Sequence, residues 1–207
     1  MNLTIAAKAP LPGHVKTRLA QEIGDDSALL LYRAFLADLA ERFPSASWYV
    51  DPLPAWHAAY PGTRASAQPP GDWTERQQLF FRTAAERGEE CVVLIASDSP
   101  QLSKEIVLEA FDLLDRNDLV LGPVTDGGYY LIGMRGWHDV LDGVSMSTPF
   151  VLEEIVRAAR ALGLRLALLE PTYDVDERSD LALLEADDAE MPATRAVLAT
   201  LRTGVPG

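Results

Sequence analysis

Short apolar runs alternate with helical segments along this 207-residue chain, and this alternation is the feature that most limits its fold. The runs Leu3–Ala7, Cys91–Ala96 and Leu164–Leu169 have the length and apolar character of buried strands. Between such runs, segments like Ser27–Phe43 carry apolar residues at helical spacing. Strands separated by helices predict an α/β protein with a mainly parallel sheet and helices on both faces.

Two segments depart from this alternation. The runs Leu119–Val124 and Tyr129–Met134 are joined across Asp126–Gly128, which predicts an antiparallel hairpin. Residues 52–74 contain five prolines and two glycines, which predicts a long irregular loop. No repeat or linker interrupts the chain, and a single core can grow to roughly 250 residues. One domain over residues 1–207 is therefore expected.

Charge and cysteine content limit the partners and the compartment. The formal net charge is -13 and the isoelectric point is near 4.6, so most of the surface should repel nucleic acid and acidic lipid. Cys91, the only cysteine, lies in an apolar run, so no internal disulfide can form. The N-terminus lacks the pattern of a signal peptide. We therefore expect a cytoplasmic protein that binds small molecules, with no nucleic acid or membrane partner.

A basic loop follows the first predicted strand. Lys8, Lys16 and Arg18 are the only charged residues among the first 21, and they flank a Pro/Gly segment that contains Gly13. Cations beside a strand-to-helix turn can hold phosphate oxygens, assisted by backbone N–H groups at the helix start. One interpretation is a phosphate-binding loop, and the other is a solvated basic turn.

Acidic residues follow two later strands. Asp98 lies in Ser97–Pro100, after the strand 91–96, and Asp176 follows the strand 164–169. Ligands of open α/β sheets bind beyond the carboxyl ends of the strands, and Mg2+ takes carboxylates together with substrate phosphates. Both residues are therefore candidate ligands for Mg2+ or Mn2+. The alternatives are an Asx turn at Asp98 and a helix start at Asp176.

The sequence Asp126-Gly127-Gly128 has two interpretations. Asp-Gly between apolar runs is typical of a hairpin turn, because glycine reaches positive φ at little cost. Paired glycines also let a ligand approach the backbone closely. Asp126 would then orient an acceptor or take its proton.

Four segments together carry a resemblance to a known family. They are Ala7–Leu19, Ser97–Pro100, Gly122–Gly133 and Asp174–Leu181. With them the chain resembles glycosyltransferase-A-like transferases of the type associated with radical-SAM and selenodomain proteins. It is similar, more distantly, to phospholactate and molybdenum-cofactor guanylyltransferases and to sugar-nucleotide cytidylyltransferases.

This resemblance implies the fold of the nucleotide-diphospho-sugar transferases and a metal held by Asp98 and Asp176. The resulting hypothesis is an Mg2+-dependent transferase with the catalytic residues Asp98, Asp126, Lys16 and Arg18. The nucleotide would be bound by Lys8, Gly13, Lys16, Arg18, Gln68, Gly71 and Asp72, and the acceptor by Asp126, Gly127 and Gly128.

Three activities fit this hypothesis. A glycosyl group could pass from a nucleotide sugar to a small acceptor, or a nucleotidyl group from a nucleoside triphosphate with release of pyrophosphate. A non-catalytic nucleotide-binding module is the third possibility, because a fold alone does not establish a function.

Overall fold

The computed structural model describes residues 2–146 and 148–203, and at Thr203 the backbone alone. The strands within these residues are β1 (Asn2–Lys8), β2 (Ser47–Asp51), β3 (Ala65–Ala67), β4 (Cys91–Ala96), β5 (Leu119–Pro123), β6 (Tyr129–Arg135) and β7 (Leu166–Leu168). The helices are α1 (Thr17–Ile23), α2 (Asp25–Arg42), α3 (Leu53–Ala59), α4 (Trp73–Glu86), α5 (Lys104–Leu114), α6 (Val151–Ala161), α7 (Asp180–Ala186) and α8 (Pro192–Thr203).

The strands form a seven-stranded sheet in the order β3-β2-β1-β4-β6-β5-β7. Strand β2 pairs in parallel with β3, and β5 pairs in parallel with β7. Strand β6 is antiparallel to both of its neighbours, β4 and β5. The predicted α/β class with a mainly parallel sheet is confirmed, as is the antiparallel hairpin of β5 and β6.

The chain divides into two compact units. The first unit comprises Met1–Ile5, Gln68–Ile95 and Glu105–Tyr173, and the second comprises Ala6–Ala67, Ala96–Lys104 and Asp174–Gly207. Strands β1 and β4 contribute residues to both units. The expectation of one domain over residues 1–207 stays a prediction.

The core of the first unit is built on β5 and β6. All residues of β5 are buried, and so are the central residues of β6. Both strands are nearly continuous apolar runs, as is typical of strands that are covered on both faces.

Helix α4 begins with a capping box. The Asp72 carboxylate accepts the Glu75 N–H at 2.9 Å, and the Glu75 carboxylate accepts the Asp72 N–H at 3.0 Å.

Helix α2 is central to the second unit and packs against α1 and α8. Its buried residues include Tyr32, Phe35 and Asp38. The Asp38 carboxylate accepts the N–H groups of Ala193 and Thr194 at 2.9 and 2.8 Å, at the start of α8. A buried carboxylate on α2 therefore satisfies two amide donors that the first turn of α8 leaves unpaired.

The prediction of an irregular loop over residues 52–74 was wrong for two parts of that segment. Helix α3 occupies Leu53–Ala59, and the strand β3 occupies Ala65–Ala67. Pro52 is the N-cap of α3, and Pro54 lies in its first turn. Proline is compatible with the first helical turn, because the amide donors of that turn have no partner within the helix.

Candidate functional site

Three of the predicted site residues meet in the second unit and form what we name the Lys16 cluster: Lys16, Asp98 and Asp176. The Lys16 ammonium forms an ion pair with Asp98 Oδ1, and it lies 3.1 Å from Asp176 Oδ1. Lys16 immediately precedes α1, Asp98 follows β4, and Asp176 precedes α7. Distant parts of the sequence thus bring two carboxylates to one cation.

The backbone of Lys16 is unusual. Its φ of 48° and ψ of 44° place it in the left-handed region. Among the described residues, Lys16 is the only non-glycine residue with a positive φ. Such a conformation costs of the order of 1–3 kcal/mol and persists only where surrounding contacts determine it. Here those contacts include the two carboxylates and the Phe35 ring, whose centroid lies 5.9 Å from Nζ.

Burial and charge act in opposite directions on the Lys16 ammonium. Its side chain is only 3% exposed, and this burial by itself lowers the pKa, because it removes water from the charged form. The charges of Asp98 and Asp176, and their hydrogen bonds, raise it. The net result is a raised pKa, so the ammonium keeps its proton at neutral pH.

Backbone contacts hold the two acidic segments together. The Val175 N–H donates to the Asp98 carbonyl oxygen at 3.1 Å, which joins the segment after β4 to the segment before α7. Asp180 Oδ2 accepts the N–H groups of Asp176 and Glu177 at 2.9 and 2.7 Å. These bonds fix the backbone on which the Asp176 carboxylate stands.

The other predicted phosphate-binding residues lie at the surface of the same unit. The Lys8 side chain is exposed, and Gly13 lies in an exposed turn with a φ of 72°. The Arg18 side chain is 67% exposed, and its Nη1 lies 4.0 Å from both Asp176 Oδ2 and Glu177 Oε1. The roles of these residues stay predictions.

Asp98 and Asp176 are the residues of this unit that could hold a metal. Their side chains are 40% and 43% exposed, so a ligand can reach them from solvent. Within the described residues, no group of three or more His, Cys, Asp or Glu side chains is arranged to hold a metal ion. Two carboxylates fit Mg2+, which commonly takes one or two carboxylates and completes its shell with water and substrate phosphates.

The predicted base-binding residues belong to the first unit, where Arg76 connects them. Arg76 Nη1 donates to Gln68 Oε1 at 2.9 Å, and Arg76 Nε donates to the Gly71 carbonyl oxygen at 3.0 Å. Asp72 caps α4. The Arg76 guanidinium therefore orders the segment before α4. Whether this segment binds a base or a ribose stays a prediction.

The predicted acceptor residues form the turn between β5 and β6, also in the first unit. Asp126 is exposed, and its Oδ1 accepts the Gly128 N–H at 3.0 Å. Gly127 has a φ of 95°, and a Cβ atom there would overlap the Pro149 carbonyl oxygen. The geometry fits the hairpin interpretation, because protein backbone fills the space beside Gly127. The acceptor role stays a prediction.

The sequence matches one family model. Residues 34–148 match the family described as "Uncharacterized protein conserved in bacteria (DUF2064)". This match covers more than half of the chain. The chain belongs to the DUF2064 family.

Solved structures place this DUF2064 chain among nucleotide-related transferase folds. A candidate nucleotide-diphospho-sugar transferase from Desulfovibrio desulfuricans G20 is 31% identical, with a TM-score of 0.88 and 98% of each chain covered. The 4-diphosphocytidyl-2C-methyl-D-erythritol synthase from Anaerococcus prevotii DSM 20548 is 11% identical, with a TM-score of 0.55 over 89% of this chain and 97% of that one. Another 4-diphosphocytidyl-2C-methyl-D-erythritol synthase is 13% identical, with a TM-score of 0.55 over 90% and 99%.

The two synthases share the fold alone with the DUF2064 chain. The chain is structurally similar to nucleotide-diphospho-sugar transferases and to nucleotidyltransferases. No curated protein matches its sequence. Across residues 2–146 and 148–203, no helix has both the length and the apolar character needed to cross a bilayer.

The sequence did not single out several residues that shape the site of this DUF2064 chain. Phe35 and Tyr32 belong to the apolar face of α2, where aromatic residues are typical of core packing. Asp180 enters the sequence analysis only within the segment that begins at Asp174, and no pattern in the sequence indicates the contacts of Arg76. The i, i+3 spacing of Tyr32 and Phe35 indicates a shared helix face, and no further signal separates them from the core.

Proposed function

We propose that this DUF2064 chain is an Mg2+- or Mn2+-dependent transferase that moves a glycosyl group from a nucleotide sugar to a small acceptor. The observation that carries the proposal is the convergence of Asp98 and Asp176 on one point, with Lys16 between them and Arg18 at the rim. The likeness to the candidate nucleotide-diphospho-sugar transferase over nearly the whole chain supports it.

The charges of the cluster suit a phosphate leaving group. A metal held by Asp98 and Asp176 would supply positive charge to the departing phosphate oxygens. Arg18, largely exposed, can turn from its carboxylate neighbours toward a ligand at low cost. Lys8 adds a second exposed cation. Cations placed where negative charge develops stabilise a transition state more than a ground state.

The reaction breaks one bond and forms one. The acceptor oxygen bonds to the anomeric carbon of the sugar, and the bond from that carbon to the β-phosphate oxygen breaks. Nucleoside diphosphate leaves with the bonding electron pair, and the acceptor proton passes to a base. Asp126 is the proposed base, and Gly127 and Gly128 would adjoin the acceptor.

Nucleotidyl transfer is the second candidate. The fold shared with the two 4-diphosphocytidyl-2C-methyl-D-erythritol synthases favours it. The three cations between the end of β1 and the first turn of α1 also favour it, because they suit a triphosphate. Here the acceptor oxygen bonds to the α-phosphorus, and pyrophosphate leaves. A non-catalytic nucleotide-binding module is the third candidate.

The remaining expectations belong to the same proposal. Gln68, Gly71 and Asp72 would contact the base or ribose, and Gly13 would let the basic loop close on the phosphates. A cytoplasmic location, small-molecule partners and the association with radical-SAM and selenodomain proteins are proposed with it.

The test separates the three activities by their products. The protein is incubated with Mg2+, a panel of nucleoside triphosphates and sugar nucleotides, and mixed small acceptors. Nucleoside diphosphate release that depends on acceptor supports glycosyl transfer, and pyrophosphate release supports nucleotidyl transfer. Nucleotide binding without turnover supports the module.

A base-independent probe tests the site itself. Mg2+ with inorganic tripolyphosphate should bind the wild-type protein in calorimetry, and Asp98→Asn should weaken this binding at least tenfold. Asp112→Asn is the control, because Asp112 is an exposed carboxylate on α5. Equal affinity in wild type and Asp98→Asn would overturn the proposed metal and phosphate site.

A further inference from the structure

The Tyr32 hydroxyl lies where the end of β1 meets the segment after β4, within the second unit. It accepts the Lys8 N–H at 3.0 Å, and it lies 3.1 Å from both the Lys8 carbonyl oxygen and Ser97 Oγ. Tyr32 is 2% exposed and Ser97 is 3% exposed. One buried oxygen thus contacts polar groups from two different strand ends.

The number of protons permits one complete arrangement of these contacts. A phenol has one proton to donate, and its oxygen can accept hydrogen bonds. The Lys8 N–H donates to it, the phenol donates to the Lys8 carbonyl oxygen, and the Ser97 hydroxyl donates to the phenol oxygen. All four groups are then satisfied. A phenylalanine at position 32 would satisfy none of the other three.

Ser97 transmits this constraint to the Lys16 cluster. The Ser97 N–H donates to the Ala6 carbonyl oxygen at 3.1 Å, so both its backbone and its side chain are held near the end of β1. Asp98 is the next residue, and its carboxylate pairs with Lys16. One turn along α2 from Tyr32, the Phe35 ring faces the same ammonium.

The phenol keeps the proton that this arrangement needs. Burial raises its pKa above the usual value, and the nearby Asp98 charge raises it further. The hydroxyl therefore donates throughout the neutral range.

We propose that the Tyr32 hydroxyl is a positioning group: it fixes Ser97 against the end of β1 and thereby sets Asp98 against Lys16. The expected effect of Tyr32 on polyphosphate binding rests on the proposed function. Its expected effect on the placement of Lys16 does not depend on that function. Without the hydroxyl, the segment that carries Asp98 loosens, and the Lys16 amine becomes accessible.

The experiment measures the accessibility of Lys16 without any ligand. Trace acetylation with acetic anhydride, read by peptide mass spectrometry, gives the reactivity of Lys16 relative to the exposed Lys104. Tyr32→Phe should raise this ratio about threefold or more, because a buried, paired ammonium becomes partly solvated. It should also raise the Kd for Mg2+ with inorganic tripolyphosphate about tenfold.

Tyr130→Phe is the matched control. Tyr130 is 1% exposed, and its hydroxyl donates to the Glu170 carbonyl oxygen at 3.0 Å within the first unit. This variant also loses a buried phenol that bonds to backbone, so general loosening should appear in it as well. We expect the reactivity of Lys16 to stay at the wild-type level in Tyr130→Phe.

Ser97→Ala provides a second route to the same result. If Tyr32 acts through Ser97, this variant should also expose Lys16, and the double variant should add little, because the two residues form one connected unit. A Lys16 that stays protected in both single variants overturns the inference, and so does an equal rise in Tyr130→Phe. The wild type itself could fail to bind Mg2+ with tripolyphosphate while Tyr32→Phe still exposes Lys16. That result would support the positioning role and overturn the proposed function.

Discussion

Lys16 Nζ lies 3.1 Å from Asp176 Oδ1, although 160 positions separate the two residues in the sequence. The same ammonium pairs with Asp98. In the structure, then, the cation expected to hold phosphate is the counter-ion of the two proposed metal ligands. A bound metal would compete with Lys16 for these carboxylates, and the polyphosphate would offer Lys16 a new partner.

Replacing Lys16 by methionine should make the protein more responsive to Mg2+. Methionine keeps an apolar stem beside Phe35, but it leaves Asp98 and Asp176 to repel each other. We expect a loss of about 1–3 kcal/mol in the free energy of unfolding without Mg2+, since the carboxylates remain partly solvated. Added Mg2+ should restore more stability to this variant than to the wild type, as measured by urea unfolding.

Lys104→Met is the control for Lys16→Met, because Lys104 is exposed at the start of α5. Its urea midpoint should respond to Mg2+ as the wild-type midpoint does. A Lys16→Met variant whose midpoint ignores Mg2+ would show that the paired carboxylates do not attract the cation.

Asp180→Ala should weaken the site without removing any proposed ligand. The Asp180 carboxylate accepts two backbone N–H groups, one of them from Asp176. Losing these bonds should cost about 1–2 kcal/mol of stability and let the Asp176 carboxylate drift from Lys16. Calorimetry should show weaker binding of Mg2+ with tripolyphosphate.

Asp187→Ala provides the comparison for this prediction, since Asp187 accepts the Ala189 N–H at 2.8 Å in the same unit. It should lose stability while retaining its affinity for the probe. If Asp180→Ala binds the probe as tightly as the wild type, the bonds from Asp180 do not position Asp176.

The sequence predicted that Lys16, Asp98 and Asp176 would lie close together, but it did not predict how these groups interact. Residues after buried strands meet at one edge of an α/β sheet, and this rule, together with the preference of Mg2+ for carboxylates, made Asp98 and Asp176 candidates. The partner of Lys16 could not be predicted in this way, because it depends on the left-handed backbone that aims the side chain. The role of the Tyr32 hydroxyl could not be predicted for a different reason. Tyrosine fits the apolar periodicity of α2, and that periodicity does not indicate what the hydroxyl contacts.

Gly127→Ala tests why glycine occupies the turn after β5. Alanine must adopt a positive φ there, and its Cβ would overlap the Pro149 carbonyl oxygen. Gly143 also has a positive φ, 71°, but a Cβ atom there would have no neighbour within 4 Å. Gly143→Ala therefore measures the backbone cost alone, about 1 kcal/mol. Gly127→Ala should cost about 3 kcal/mol or more. Equal losses in thermal or urea unfolding would show that the contact with Pro149 yields easily, and would leave room for an approaching acceptor.

Asp118 and Arg165 should give the first unit an acid-sensitive contact. Arg165 donates from its side chain to both carboxylate oxygens of Asp118, at 3.1 and 3.0 Å, and from its backbone N–H at 2.9 Å. These hydrogen bonds, the side-chain ones first, lower the pKa of Asp118 to about 2. A carboxyl whose pKa is lower in the folded than in the unfolded state stabilises the fold above its ordinary pKa, and that contribution is lost as the pH falls toward the folded value.

Asp118→Asn should therefore be less stable than the wild type at neutral pH, and the difference in urea midpoint should shrink from about pH 4 toward pH 2. The difference should be modest and should decrease with added salt, because both side chains reach solvent. Asp112→Asn is the control, because it removes an exposed carboxyl on α5. Its difference in urea midpoint from the wild type should not follow this dependence on pH. A difference that persists unchanged at pH 2 would mean that the charge of Asp118 does not strengthen its bonds to Arg165, since the amide of asparagine preserves the shape of the carboxylate but not its charge.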